Sequence, residues 1–347
     1  MSHWIVVRPR QMPISFRVQR RVPLVLLLLT VITLAIVILS ASYGEYPISP
    51  LDVLKTLLGI ETGNPDHAFV IYTLRLPRAL VALLAGIGLA IPGAILQGLT
   101  RNPLAAPDVI GINAGASMAA VSLIVLFPAA PLFAIPLSAF AGAAIAATLI
   151  YLLAWDQGSS PIRFILIGVG IAAVASAITS VLMAFGQINN VTQALIWMTG
   201  SVYGRSWEHI LLLLPWLGIF VPLALLLSRE LNVLHLGDDV ARGLGSSVEW
   251  QRFLLLLTSV ALTGASVATA GTIGFVGLMA PHLARQLVGT ASEGLLPTTA
   301  LLGGLITVLA DLLGRSLFSP TELPCGVLTA LVGAPYFLYL LYQNRHQ

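Results

Sequence analysis

The sequence predicts an all-α, polytopic membrane protein with ten transmembrane helices. Three observations carry that expectation. First, only 9% of the 347 residues are charged and 57% are hydrophobic, with a mean hydropathy of +0.94; soluble domains are roughly a quarter charged. Second, ten apolar runs follow one another with short polar joins, each near the roughly 20 residues that cross a bilayer as a helix. Third, the arginines are distributed unevenly among those joins. The same composition excludes a disordered chain, a nucleic-acid-binding domain and a disulfide scaffold.

The elements are taken in chain order. Residues 1–21 are a basic head holding Arg8, Arg10, Arg17, Arg20 and Arg21, with no acid before Glu45. The first apolar run, 22–41, is too long for the core of a signal peptide and Ala41-Ser42-Tyr43 is a poor cleavage site, so it reads as a retained span. Further spans are expected at 79–99, 109–127, 132–154, 163–185 and 209–228. Residues 253–291 form one apolar stretch too long for a single crossing. Gly264, Gly271, Gly274 and Gly277 interrupt it, and a turn at Ala270-Gly271-Thr272 divides it into 253–270 and 273–291. Spans 296–313 and 324–342 complete a single membrane domain, 22–342, and leave a tail at 343–347.

By the positive-inside rule the basic head is cytoplasmic. Ten spans return the C-terminus, with Arg345, to the same side. The inside joins then collect Arg101, Arg163, Arg229, Arg242, Arg252 and Arg285. Only Lys55, Arg75, Arg78, Arg205 and Arg315 fall outside.

Absent chemistry narrows the function. The only lysine, Lys55, has no glycine loop before it, so a P-loop for ATP is excluded. With Cys325 as the one cysteine, there is no internal disulfide or thiolate zinc site. The six histidines have no metal-ligand spacing; His282 reads as a helix-end structural residue. Asp311 is the only acid within an expected span, and it lies near that span's end, whereas ion-driven carriers usually hold a carboxylate near mid-membrane. A self-sufficient secondary carrier or channel stays as the alternative, with Asp311 and Glu322 as its candidate coupling acids. An integral-membrane enzyme has only the doublet Asp238-Asp239 to offer.

Three segments remain to be explained. The inside loop 229–252 alternates Leu231, Leu234, Leu236, Val240 and Leu244 with polar residues. Val240 and Leu244 are four apart, on one helical face, and Asp238 or Asp239 is placed to cap that short helix. Such a segment lies on lipid, packs on its own bundle, or docks into a partner's groove. Leu74-Arg-Leu-Pro-Arg78, before the second span, and Arg315, after the ninth, are outside cations that run against the charge bias. Internal pairing with Asp66, Glu322 or Asp311 accounts for them, and so does local recognition of a partner's carboxylates, which arginine's planar fork suits. Arg101-Asn-Pro-Leu-Ala-Ala-Pro-Asp108 has two prolines four apart and reads as a rigid connector.

At these residues the chain resembles the FecCD family, the permease subunits of ABC importers for ferric siderophores, haem and cobalamin. Matching pieces run in order from about residue 74 to 342. They are Leu74–Arg78, Gln97 with Arg101–Ala105, Trp197-Met-Thr-Gly-Ser201 with Gly204-Arg205, and Gly237-Asp238 with Ala241 and Leu244-Gly245. The C-terminal third adds Gly274–Leu278, Pro281-His282, Ala310-Asp311, Glu322-Leu-Pro324 and Gly333-Ala-Pro-Tyr-Phe337. The last of these, with Trp197–Arg205, resembles the ferric citrate and related siderophore permeases more than the cobalamin ones.

The resemblance implies a type II ABC importer permease fold in the bacterial cytoplasmic (inner) membrane, with both termini cytoplasmic. It implies a homologous or identical second permease, two ATPase subunits that bind ATP and Mg, and a periplasmic or lipid-anchored solute-binding protein. A ferric siderophore would be the substrate, and this chain itself would need no cofactor. It assigns coupling to the ATPase to Leu236, Gly237, Asp238, Asp239, Ala241, Arg242, Leu244 and Gly245. Docking of the binding protein falls to Arg75, Arg78 and Arg315.

Overall fold

A computed structural model describes residues 4–7, 16–44, 46–108, 110–131, 133–154, 161–317 and 321–343. Glu45 and most of the tail, with Arg345, lie outside the described residues, as do Arg8 and Arg10. Part of the head forms an antiparallel ribbon of β1 (Trp4–Val7) and β2 (Phe16–Gln19), with Trp4 opposite Gln19. The other regular elements among the described residues are helices. The first span is α1 (Arg21–Ser42), and α2 (Pro50–Leu57) follows it, opened by Ser49, whose hydroxyl accepts the Asp52 N–H. Next come α3 (Asp66–Phe69), a π-turn (Val70–Arg75) and α4 (Leu76–Thr100), running on as one helical rod. The middle of the chain supplies α5 (Ile112–Leu126), α6 (Ala134–Ala154), α7 (Pro161–Phe185), α8 (Ile188–Met198) and α9 (Trp207–Leu226). Two short helices, α10 (Ser228–His235) and α11 (Asp238–Gly243), lead into α12 (Val248–Ala270). The chain closes with α13 (Val276–Val288), α14 (Ser292–Ser316) and α15 (Cys325–Gln343).

Eight of these helical segments are long and apolar enough to cross a membrane; the shorter α5 and α13 make up the ten expected spans. The expected division of 253–291 is where the chain breaks: Gly271 and Phe275 both take positive φ, at 72° and 66°, between α12 and α13. Two expectations are corrected. Leu74–Arg78 is no loop, because helix is already running at Asp66 and carries Arg75 and Arg78 on its wall. Nor were α2 and α8 anticipated, each being too short and too polar to register as a span.

Rod α4 is the axis of the bundle. It packs against α14, α12, α13 and α9, and most of its apolar window is buried. Backbone proximity makes this possible. A Cβ at Gly86 would collide with the Gly303 carbonyl of α14, and one at Gly93 with the Gly277 carbonyl of α13. Small residues thus set the helix–helix distance in the absence of a strong hydrophobic drive between helices in lipid. Gly170, another small residue of the sequence, faces open space instead. By contrast α1, α7, α9 and α15 keep most of their apolar surface outward.

Candidate functional site

The candidate site residues gather at two ends of the bundle. One, the head end, holds the head, the C-terminal end of α4, the α10–α11 loop, and the junction of α13 with α14. The other, the far end, holds the α1–α2 connection, the start of the α4 rod, residues 199–206 and the stretch after α14.

At the head end, α10 and α11 are fastened to the bundle by their apolar faces. Leu231, Leu234 and Ala241 are buried. The Leu231 side chain lies where a side chain on Gly98 of α4 would have to go. Asp238 ties the loop to two further elements. It accepts from Arg252 of α12 through both oxygens at 2.8 Å, and from Arg101, at the left-handed end of α4, at 3.1 Å. Asn232 adds a link to α14, donating to Glu293 at 2.8 Å and accepting the Ser292 N–H at 2.9 Å. The expected capping role is therefore corrected: Gly237, at φ 118°, opens α11, and neither Asp238 nor Asp239 caps it. Asp238 serves the ion network, while Asp239 is fully exposed and sits 3.7 Å from Arg242, itself on the surface. Gly237 and Gly245 (φ 83°) bracket the helix. What this leaves facing outward is a row of aliphatic side chains: Leu236, Val240 and Leu244 are all exposed, at 61%, 50% and 65%. Ala241, grouped with them in the sequence reading, points the other way and seats the helix.

At the far end the arginines turn inward. Arg75 donates to the carbonyls of Ala41 and Ser42, both at 2.9 Å, and to Tyr46. Arg315 donates to the carbonyl of Tyr43 at 2.7 Å and to that of Ser40. All but Tyr46 belong to the last turn of α1 and the residue after it, where carbonyls have no partner within the helix and a cation faces the negative end of the helix dipole. Gly44 is required here, since a Cβ would sit 2.5 Å from the Arg75 guanidinium. Arg78 makes a fork-to-fork pair with Asp311, Nη2 donating to Oδ1 at 2.8 Å and Nε to Oδ2 at 3.1 Å, and reaches Glu322 at 2.8 Å. The exposed ring of Tyr203 lies 5.5 Å from its guanidinium carbon. Arg315 approaches the same Asp311 at 3.7 Å. Arg75 and Arg315 are thus 8% and 9% exposed, beneath the surface where the sequence reading had them meet a partner, and Arg78 is engaged in the internal pairing weighed there. Burial also pulls the Arg205 guanidinium below its ordinary pKa; its Nη1 lies 3.0 Å from His209 Nε2.

Between the ends lies an acid, Asp108, that closes the segment expected to be a rigid connector. After α4 the segment from Pro103 to Asp108 folds back among the helices: Ala105 and Ala106 are buried, Pro107 packs on Gly277, and an Asp108 oxygen is 3.5 Å from the Phe275 N–H at the start of α13. Non-helical backbone is tolerated in a membrane protein where protein surrounds it. The two prolines were the available signal, read only as a stop to the helix.

Two unlike ends on ten packed helices, with a glycine-lined central rod, describe an integral-membrane permease subunit. Its fold is similar to a solved metal-chelate type ABC transporter in an inward-facing conformation. The TM-score is 0.83, with 33% identity over 92% of this chain and 99% of that one. The chain belongs to the FecCD transport family, which matches residues 32–343. The Fe(3+)-citrate import system permease protein YfmE of Bacillus subtilis is 47% identical, covering 95% of this chain and 98% of the relative. The achromobactin transport system permease protein CbrC of Dickeya dadantii is 43% identical, covering 100% and 98%.

Proposed function

We propose that this chain is one permease subunit of an ATP-driven importer that moves a ferric siderophore or related metal chelate across the bacterial cytoplasmic membrane. Its partners in this reading are a like or identical permease, two ATPase subunits that bind ATP and Mg, and a solute-binding protein. The head end, with both termini, is cytoplasmic. The observation that carries the reading is the α10–α11 loop, anchored by buried residues on one face and exposing Leu236, Val240 and Leu244 on the other. An exposed apolar row with a polar rim marks a protein contact. Asp238 and Asp239 disfavour an anionic lipid leaflet as its occupant. The iron chelate comes from the relatives, whose names specify ferric citrate and achromobactin transport.

Mechanistically, the ATPase pair grips this row, and its closure on nucleotide shifts α10–α11. Because Asp238 joins the loop to α4 and α12, and Asn232 joins it to α14, the shift reaches three core helices together. Nucleotide changes the pathway only to the extent that its bound state favours one bundle arrangement. At the far end, the binding protein settles on the rim around Arg78 and Tyr203. Arg75 and Arg315 support that rim from below by holding the end of α1. The self-sufficient carrier needs a coupling acid, and both candidates are paired internally, Asp311 with Arg78 and Arg315 and Glu322 with Arg78.

The test replaces Leu236 and Leu244 by Asp in the full chain, co-expressed with its ATPase and partner permease. The expected result is at least a tenfold loss of co-purified ATPase, and of ATP-driven uptake, with thermal unfolding unchanged. Full ATPase recovery would remove the coupling role.

A further inference from the structure

A cavity of about 560 Å³ opens at the head end between α4, α10, α13 and the start of α14. Arg285 of α13 lines it. Arg78, Arg252 and Arg315, also largely buried, each have a carboxylate within 4 Å. Arg75, without one, has three carbonyls. Arg285 has neither: its guanidinium donates to the amide oxygen of Gln97, and it forms no ion pair among the described residues. Gln97 is 2% exposed, lines the same cavity, and its Nε2 finds no partner. A half-buried cation with one neutral partner, beside a buried amide nitrogen that has none among the described residues, is costly unless something completes the set.

The rest of the lining shows what would complete it. The lining also includes Arg101, His235, Asn232 and Ser292 and no carboxylate; of these, Arg101 is already paired with Asp238, and Asn232 is bonded to Glu293 and to the Ser292 N–H. Ser292 begins α14, a helix of 25 residues whose positive dipole end favours an anion, its own N–H being given to Asn232. Arg21 stands by the rim, near Gly289. The arginine fork, the free amide hydrogens and the helix start point to an oxyanion with several acceptor oxygens rather than to a single carboxylate.

We propose that this cavity binds a phosphate group, with Arg285 and Gln97 as its principal donors. Two sources share that chemistry: the headgroup of an anionic phospholipid, since the cavity lies where the spans end and basic interhelical pockets hold such headgroups, or inorganic phosphate. The site does not depend on the importer reading, and its test needs no transport assay.

The full chain is placed in phosphatidylcholine nanodiscs and its thermal unfolding followed. Inorganic phosphate is added in one arm. In the other, about a fifth of the lipid is replaced by phosphatidylglycerol. Sodium chloride at matched ionic strength is the control. A ligand that binds only the folded state raises the midpoint, here by about 3–5 °C for a chain of this size. A rise with phosphatidylglycerol alone assigns the site to lipid, and a rise with phosphate in pure phosphatidylcholine assigns it to the free ion. In either case Arg285→Gln should abolish the rise. If that variant does not fold, Arg285→Lys, which keeps the charge without the fork, should retain less than about half of it. No rise in the native chain, an equal rise with chloride, or a full rise in a folded Arg285 variant would each overturn the proposal.

Discussion

Asp238 at the head end and Asp311 at the far end hold the same office in different surroundings. Each is shared by two arginines, Asp238 by Arg101 and Arg252 of other elements, Asp311 by Arg78 of the α4 rod and by Arg315 one turn on in its own helix. Asp311's side chain is 3% exposed and its network closes over the end of α1. Asp238's is 25% exposed, and beside it an apolar row is left uncovered. The far end uses its charges to lock one arrangement. The head end uses them to join a small surface helix to the core, so that a push on that helix is felt by several spans. Depth makes the difference: in low dielectric a charge pair is strong and expensive to break, whereas near water it is weaker and can be remade.

Four substitutions test that contrast, in order of falling stability loss. Asp311→Ala removes the carboxylate shared by two largely buried guanidinium groups, leaving Arg78 with Glu322 and Arg315 with neutral acceptors alone, and should cost about 3–5 kcal/mol, read as a collapse of folded yield or of the unfolding midpoint in detergent. Arg75→Ala uncovers the carbonyls at the end of α1 and should cost about 2–3 kcal/mol, with faster proteolysis at residues 43–49. Asp238→Ala, partly open to water, should cost only about 1–2 kcal/mol. Its signature is functional: the ATPase still co-purifies, yet ATP hydrolysis drives less uptake. An Asp238→Ala loss as large as that of Asp311→Ala would erase the distinction between the two ends. Asp239→Asn, fully exposed, should shift stability by less than about 0.5 kcal/mol and leave uptake intact.

The span count, the break after Ala270 and the existence of an amphipathic loop near 229–252 were legible in the residues. Each follows from local hydropathy or glycine placement, and needs no knowledge of neighbours. The docking arginines were recognised as odd but not placed. Nothing in Leu74–Arg78 reveals that helix begins at Asp66, or that Arg75 will reach the end of α1, 33 residues earlier for its Ser42 contact. Ala241 was grouped with Leu244 for the same reason: a six-residue helix has too few turns to show which side it buries.

Composition and periodicity alone therefore established a ten-span membrane chain without its own P-loop, because transfer from water to lipid acts on each segment separately. Tertiary structure decided which arginines meet a carboxylate and which a carbonyl, that Asp108 folds inward, and that Arg285 stands in a cavity with no carboxylate in its lining. Those outcomes depend on groups brought together from distant parts of the chain, and the strength of a charge is set by what surrounds it rather than by its place in sequence.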